Sequence, residues 1–233
     1  MRRVLGPLVV VSSAVFVASA GAAVPAKPLP PASTWEIPAT TIQALNLGLV
    51  QQPTAQEMPS SVPECAPFAA AFTQAAPVTS SLAFQVWRGP RTILQDSVRV
   101  FKTKNAALQY WKPEKNMASS KACITAYFTP TTGSTSRPSN PSSSNGASTL
   151  PSAQVTVEPQ NPKLHDADAA SSWIVHVTYN VPNQPPQQIG AQTLDVRYET
   201  GVIETLLVAP TDQFAAAAAG VRGAIKKDLA TID

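Results

Sequence analysis

The chain contains few of the residue types on which catalytic and nucleic-acid-binding sites depend. Only 13% of its 233 residues are charged, 6% are aromatic, and it has two histidines, two cysteines and ten glycines. It contains no phosphate-binding loop, no dinucleotide-binding fingerprint, no Gly-x-Ser-x-Gly and no His-Glu-x-x-His. The formal charge is +3, which becomes +1 (15 basic against 14 acidic residues) without Arg2 and Arg3. A charge this close to zero gives no reason to expect nucleic acid or an anionic membrane surface as a partner.

The chemically active side chains that are present form no pattern that identifies a reaction. His165, Asp166 and Asp168 are of the type that binds metals, but three such groups in one polar loop more often form a solvated turn. A serine hydrolase would need His165 or His176 as its base, and no motif singles out the serine. We therefore predict no catalytic residue, no metal and no cofactor, in a protein that is not an enzyme.

Long hydrophobic runs are absent except at the N-terminus. Residues 4–20 are mostly apolar, follow Arg2 and Arg3, and precede the small residues of 20–23. This arrangement is typical of a secretory signal peptide, so we expect residues 1–23 to be removed. The mature chain then has no transmembrane segment and is secreted, whether or not it associates with the cell wall. A retained membrane anchor is the alternative interpretation.

Cys65 and Cys123 are the two cysteines of the chain. Export to an oxidising compartment favours their pairing. A metal site would need more ligands, and a reactive thiol would leave the second cysteine unexplained. We predict a disulfide, which the loop-entropy relation values at about 4 kcal/mol.

Proline and small polar residues divide the chain. Residues 24–35 are rich in proline and predict an extended tether. Residues 36–233 are apolar enough to form one packed domain. Within that domain, 20 of the 23 residues of 130–152 are Ser, Thr, Pro, Gly or Asn. So little apolar surface cannot offset the entropy of ordering, which predicts a flexible insertion.

The hydrophobic periodicity predicts an α+β domain. Helical spacing covers 63–76, 104–120 (kinked or split by Pro113) and about 20 residues from Thr211. Alternating apolar and polar residues predict strands over 81–87, 92–102, 123–129, 153–157, 172–181, 192–199 and 202–208. The predicted fold is an antiparallel sheet with helices packed across it, in a single domain with one disulfide.

The polar positions of the predicted strands are the best candidates for a binding site. If the strand phases agree, five side chains share one face of the sheet: Trp87, Arg99, His176, Asp195 and Arg197. Trp87 would stack on a ligand, and the two arginines would bind its carboxylate or phosphate groups. A solvated outer face is the alternative interpretation.

The order of cysteines, helices and strands follows a known plan. Pro63-Glu64-Cys65 opens the first helix, a hairpin spans 81–101, and a helix with Tyr110-Trp111 leads to Cys123. A strand-rich half and an alanine-rich last helix with Lys226-Lys227 complete the order. Over about residues 60–230 this resembles the extracellular sensor domain of actinobacterial PknH-type Ser/Thr kinases, and the secreted proteins and lipoproteins built on it. The resemblance implies a ligand-sensing groove over a sheet, usually with two disulfides, of which this chain has cysteines for one.

We therefore predict a secreted ligand-binding or sensor-like module of the bacterial cell envelope. Its partner would be a small polar ligand or a cell-wall fragment held in a groove over the sheet. One alternative is a secreted hydrolase or wall-remodelling enzyme, which a pocket joining His176 to Ser97, Asp195 or Arg197 would favour. Another is a protein-interaction module whose insertion contacts an envelope protein.

Overall fold

A computed structural model describes residues 29–52, 61–129, 152–180 and 183–230. The predicted signal peptide (1–23) and residues 130–151 of the predicted insertion lie outside these ranges, so both stay predictions. The predicted tether is described only from residue 29, and its last four residues are not extended. Ala32–Trp35 forms a 3-10 helix whose first and last residues are buried. Packing of the domain therefore begins before residue 36, because the Trp35 side chain docks on the sheet.

Within these described ranges, seven strands form one antiparallel sheet with the order β1-β2-β3-β7-β6-β5-β4. The strands are β1 (Val50–Gln52), β2 (Thr79–Arg88), β3 (Ile93–Phe101), β4 (Ser152–Gln160), β5 (Ala169–Asn180), β6 (Gln187–Tyr198) and β7 (Gly201–Pro210). The helices are α1 (Ala39–Ala44), α2 (Ala66–Ala75), α3 (Lys104–Tyr110), α4 (Met117–Phe128) and α5 (Thr211–Leu229). Two further 3-10 helices, Pro63–Cys65 and Lys112–Lys115, precede α2 and α4.

One face of the sheet is covered by α5 and by residues 29–49, which we call the N-terminal strap; we call this face the strap face. Its core is one continuous apolar cluster shared by the sheet, the strap and α5. Two glycines of the sheet allow aromatic rings to lie directly on the backbone. The Trp35 ring lies against Gly201 and the Phe214 ring against Gly190, where any Cβ would overlap the ring. These contacts fix the strap and α5 on the sheet.

The other face is covered by α2, α3, the Lys112–Lys115 turn and α4; we call it the groove face. A disulfide joins Cys65, at the start of α2, to Cys123 in α4, which confirms the predicted bridge. The apolar side chains here form two separate clusters. One is centred on Phe101 and Trp111 and the other on Phe128 and Trp173. Polar side chains of the central strands lie between them.

The structure confirms the predicted α+β class, with one antiparallel sheet and helices across it. The strand predicted over 123–129 is wrong, because residues 123–128 belong to α4 and Thr129 is its C-cap. The Asn116 side chain caps that helix by accepting a hydrogen bond from the Ser119 N–H at 3.2 Å. Ile124 and Phe128 are four residues apart, so they share the helix face that packs on the sheet. Ile124 and Phe128, two of the residues that predicted a strand, form the apolar face of a helix instead.

Candidate functional site

The sheet separates the five predicted binding residues into two groups. Trp87 pairs with Leu94 and His176 with Gly190, which places both on the strap face. Arg99, Asp195 and Arg197 lie on the groove face. The common face predicted for all five is therefore wrong. Alternation assigns side chains to two faces within one strand, but the register between strands decides which of those faces coincide.

Trp87 and His176 do not line a groove together with the other three. Trp87 is only 3% exposed, and its indole N–H donates to Oε1 of Gln85 at 3.1 Å. His176 is exposed, and its ring meets Phe214 edge-on with the centroids 6.3 Å apart. The sheet lies between His176 and Ser97, so the cluster that would favour a hydrolase does not form.

Polar side chains cross the groove face between its two apolar clusters. Ser97, Glu204, Asp195 and Ser171 are successive cross-strand neighbours on β3, β7, β6 and β5. We call these four, with Arg99, Tyr110 and Glu114, the polar band. Glu204 and Asp195 are directly opposite each other, and like charges in such a pair repel. The band therefore needs either a counter-charge or bound protons.

Arg99 supplies positive charge to the polar band. Its guanidinium carbon lies 4.2 Å from the ring centroid of Phe72 and 5.3 Å from that of Tyr110. Its Nε donates to Oη of Tyr110 at 3.0 Å, and the Tyr110 hydroxyl donates to Glu204, 2.9 Å from either carboxylate oxygen. Nε of Arg99 is also 3.7 Å from Oε2 of Glu204. Arg99 is 3% exposed, so protein groups rather than solvent surround its charge.

Two carboxyl groups of the polar band have a raised pKa. Removal from water raises the pKa of Glu114 to about 7, although a hydrogen bond with Ser171 acts in the opposite direction. Removal from water also raises the pKa of Asp195 well above its usual range, and the charges of Glu114 and Glu204 raise it further. The charge of the band therefore changes with pH.

A groove of about 780 Å³ opens between α2 and α3, beside the polar band. Alanines of α2 form one wall (Ala70, Ala71, Ala75), and four carboxamides contribute to the lining (Gln74, Asn105, Gln109, Asn116). Tyr110 also lines the groove, and Lys112 is the charged residue of its lining. The volume falls in the range of small-molecule sites. Because carboxamides both donate and accept hydrogen bonds, the lining suits a neutral polar ligand.

A second cavity, of about 30 Å³, lies beside the groove. It shares Ala71 and Tyr110 with the groove and is otherwise lined by Phe68, Trp111, Glu114 and Glu204. This volume holds about one water molecule. The ring of Tyr110 therefore lines both the groove and the small cavity that contains the carboxyl groups of the band.

Arg197 and Asp168 have a structural role at the end of the sheet. Nη1 of Arg197 is 3.0 Å from Oδ2 of Asp168, and the same oxygen accepts the Glu199 N–H at 2.8 Å. Asp168 thus holds the tight turn between β6 and β7, where Glu199 has a positive φ of 51°. Within residues 29–52, 61–129, 152–180 and 183–230, no group of three or more His, Cys, Asp or Glu is arranged to hold a metal ion.

Sequence reasoning did not select Tyr110, Glu114 or Glu204 as site residues. Glu204 interrupts an apolar strand. Because burying a charge is costly, a carboxylate within an apolar strand indicates a functional position, and this is the feature of the sequence that points to Glu204. Tyr110 and Glu114 lie on either side of Pro113, in a helical region that the proline divides. Whether both side chains face the sheet depends on the geometry of that break, which the sequence does not specify.

The fold is similar to a solved structure, the extracellular domain of PknH from Mycobacterium tuberculosis. The TM-score is 0.51 and the identity 11%, over 86% of this chain and 98% of that one. At this identity the similarity concerns the fold alone, and it supports the structural part of the predicted resemblance. No family model and no curated protein matches the chain. In the part of the chain that the structure describes, no helix has the length and apolar character needed to cross a membrane.

Proposed function

We propose that the protein is a secreted ligand-binding or sensor-like module of the bacterial cell envelope, with the groove between α2 and α3 as its binding site. The observation that carries the proposal is a groove of about 780 Å³ lined by alanines, carboxamides and Tyr110. The disulfide, the likeness to an extracellular domain and the N-terminal sequence support an extracellular location. The ligand class is a small polar molecule or a cell-wall fragment.

The lining favours hydroxyl-rich or amide-rich ligands over charged ones. Gln74, Asn105, Gln109 and Asn116 offer donors and acceptors at the same positions, which matches sugar hydroxyls and peptide groups. The alanine wall of α2 permits a flat ligand face to approach closely. Tyr110 provides a ring for stacking, and its hydroxyl joins Arg99 to Glu204. A ligand against this ring therefore alters the environment of the polar band, which is how occupancy would be sensed.

The test is ligand-induced stabilisation of the purified protein. Soluble muropeptides, N-acetylglucosamine oligosaccharides and arabinogalactan fragments would be the probes in a thermal-unfolding assay. A probe at 100 times its Kd stabilises by about 2.7 kcal/mol, which raises Tm by about 5 to 10 °C in a domain of this size.

Two matched variants locate the binding. Ala70→Trp fills the groove from the exposed surface of α2, and Ala216→Trp places the same residue on the exposed surface of α5, across the sheet. We expect Ala70→Trp to abolish the shift and Ala216→Trp to retain it, with both variants folded. The groove is not the site if Ala70→Trp responds like the unaltered protein, and the sensor proposal fails if no probe shifts Tm.

A further inference from the structure

Asp96 is a fully buried carboxyl group that holds the N-terminal strap on the sheet. Its Oδ2 accepts hydrogen bonds from the Ile37 N–H at 2.8 Å and from Nε2 of Gln85 at 3.0 Å. The same Gln85 amide donates to the Ile37 carbonyl oxygen at 3.0 Å. Asp96 is 0% exposed, and its Oδ1 has no hydrogen-bond partner among the described residues. The carboxyl group therefore lies at the centre of the contact between the strap and the sheet.

The charged groups that act on Asp96 are further carboxylates. Glu36 approaches from the strap and Asp228 from the last turn of α5, and both oppose ionisation of Asp96. The positive charge of Lys227 favours the ionised form of the Asp228 carboxyl group. The neighbouring strands contribute neutral groups at the paired positions, Gln85 on β2 and Thr205 on β7. Ionisation of all three carboxyl groups would therefore place like charges across the contact.

The protonation of Asp96 depends on whether the strap covers it. Removal from water raises the pKa of Asp96 to about 7 in the closed structure. Once the strap leaves, the carboxyl group meets water and its pKa returns toward the ordinary value near 3.8. At a pH between these two pKa values, the closed state thus binds more protons than the open state. Closure is fully favoured at acidic pH and is lost progressively as pH rises toward 7.

We propose that the N-terminal strap is a pH-dependent element that closes on the sheet in acidic surroundings and opens toward neutral pH, with Asp96 as its switch. Opening uncovers Trp87 and the apolar side chains that Trp35 and Ile42 cover in the closed state. Because this surface lies on the strap face, opening is independent of any ligand in the groove on the opposite face.

Hydrogen exchange of the purified protein at pH 5 and pH 7.5 tests the proposal, with protection factors corrected for the intrinsic rate at each pH. We expect protection of residues 32–45 to fall at least tenfold between these pH values, and protection of β6 to fall less. Asp96→Asn keeps the acceptor oxygen but cannot ionise. In this variant, protection of the strap should therefore change less than threefold between pH 5 and pH 7.5. Asp166→Asn, at an exposed acid of the loop before β5, should behave like the unaltered protein.

Equal strap protection at the two pH values would overturn the proposal, and so would a tenfold fall that persists in Asp96→Asn. If Asp96→Asn does not fold, Glu36→Gln provides the second test, because Glu36 is only half-buried. Removing its charge should reduce the fall in strap protection relative to the unaltered protein. A fall of the same size in Glu36→Gln would count against Asp96 and its carboxylate neighbours as the switch.

Discussion

The two faces of the sheet are packed in different ways. The strap face has one continuous apolar cluster, with aromatic rings of the strap and α5 lying directly on glycines. The groove face has two clusters divided by the polar band, and it is covered by helices of 7 to 12 residues with a groove between two of them. Incomplete packing reduces stability, so a divided core beside an open groove is what we expect of a binding site. The strap face, by contrast, supplies most of the apolar burial.

Removing the disulfide should have the largest effect and should act on the groove face first. The paired substitution Cys65→Ser/Cys123→Ser opens a loop with a sequence separation of 58 residues, which the loop-entropy relation values at about 4 kcal/mol. Denaturant unfolding measures the loss, and hydrogen exchange locates it. We expect α2 to lose protection before α5 does. Simultaneous loss in both helices would show that the two faces unfold as one unit.

Raising the pH should destabilise both faces. Asp96 on the strap face and Glu114 on the groove face each have a pKa raised to about 7, so the folded state binds more protons than the unfolded state. Stability is therefore highest near pH 4 and falls as pH rises to 7, by on the order of 3 kcal/mol for each of the two groups. Chemical denaturation across this range measures the slope.

Single variants show how much of this dependence of stability on pH comes from each face of the sheet. Asp96→Asn and Asp195→Asn should each make the slope shallower, and their effects should add because the groups lie on opposite sides of the sheet. Stability that rises between pH 4 and pH 7 in the unaltered protein would contradict the raised pKa values.

A methyl group at Gly201 should disturb the strap face. The Cβ of Gly201→Ala would overlap the Trp35 ring, and overpacking of this kind costs about 2 kcal/mol. Gly223→Ala is the matched control, since its Cβ meets no atom within 4 Å and alanine favours the helix by about 1 kcal/mol. Thermal unfolding should lower Tm in the first variant and raise it in the second. A neutral Gly201→Ala would show that Trp35 can leave the sheet at little cost.

The sequence predicts the elements better than it predicts the site. Strand alternation in β3, β5 and β6 assigns side chains correctly to two faces within each strand, and the final helix begins at Thr211 as expected. The register of β2 against β3, however, depends on the length and geometry of the hairpin loop between Arg88 and Ile93, which alternation does not encode. Alternation alone therefore does not show that Trp87 and Arg99 lie on opposite faces. The groove depends on how α2 and α3 pack, which local periodicity does not specify.

The smallest effect we expect is that of removing the Tyr110 hydroxyl, and it tests whether the polar band and the groove are coupled. Tyr110→Phe keeps the ring in the groove but removes the bridge between Nε of Arg99 and Glu204, at a cost of about 1 kcal/mol. Tyr127→Phe, at an exposed tyrosine of α4, is the control and should change stability by less than about 0.5 kcal/mol. If the band senses the ligand, Tyr110→Phe should bind a groove probe with altered pH dependence. Unchanged binding at every pH would leave the groove as a site that operates without the band.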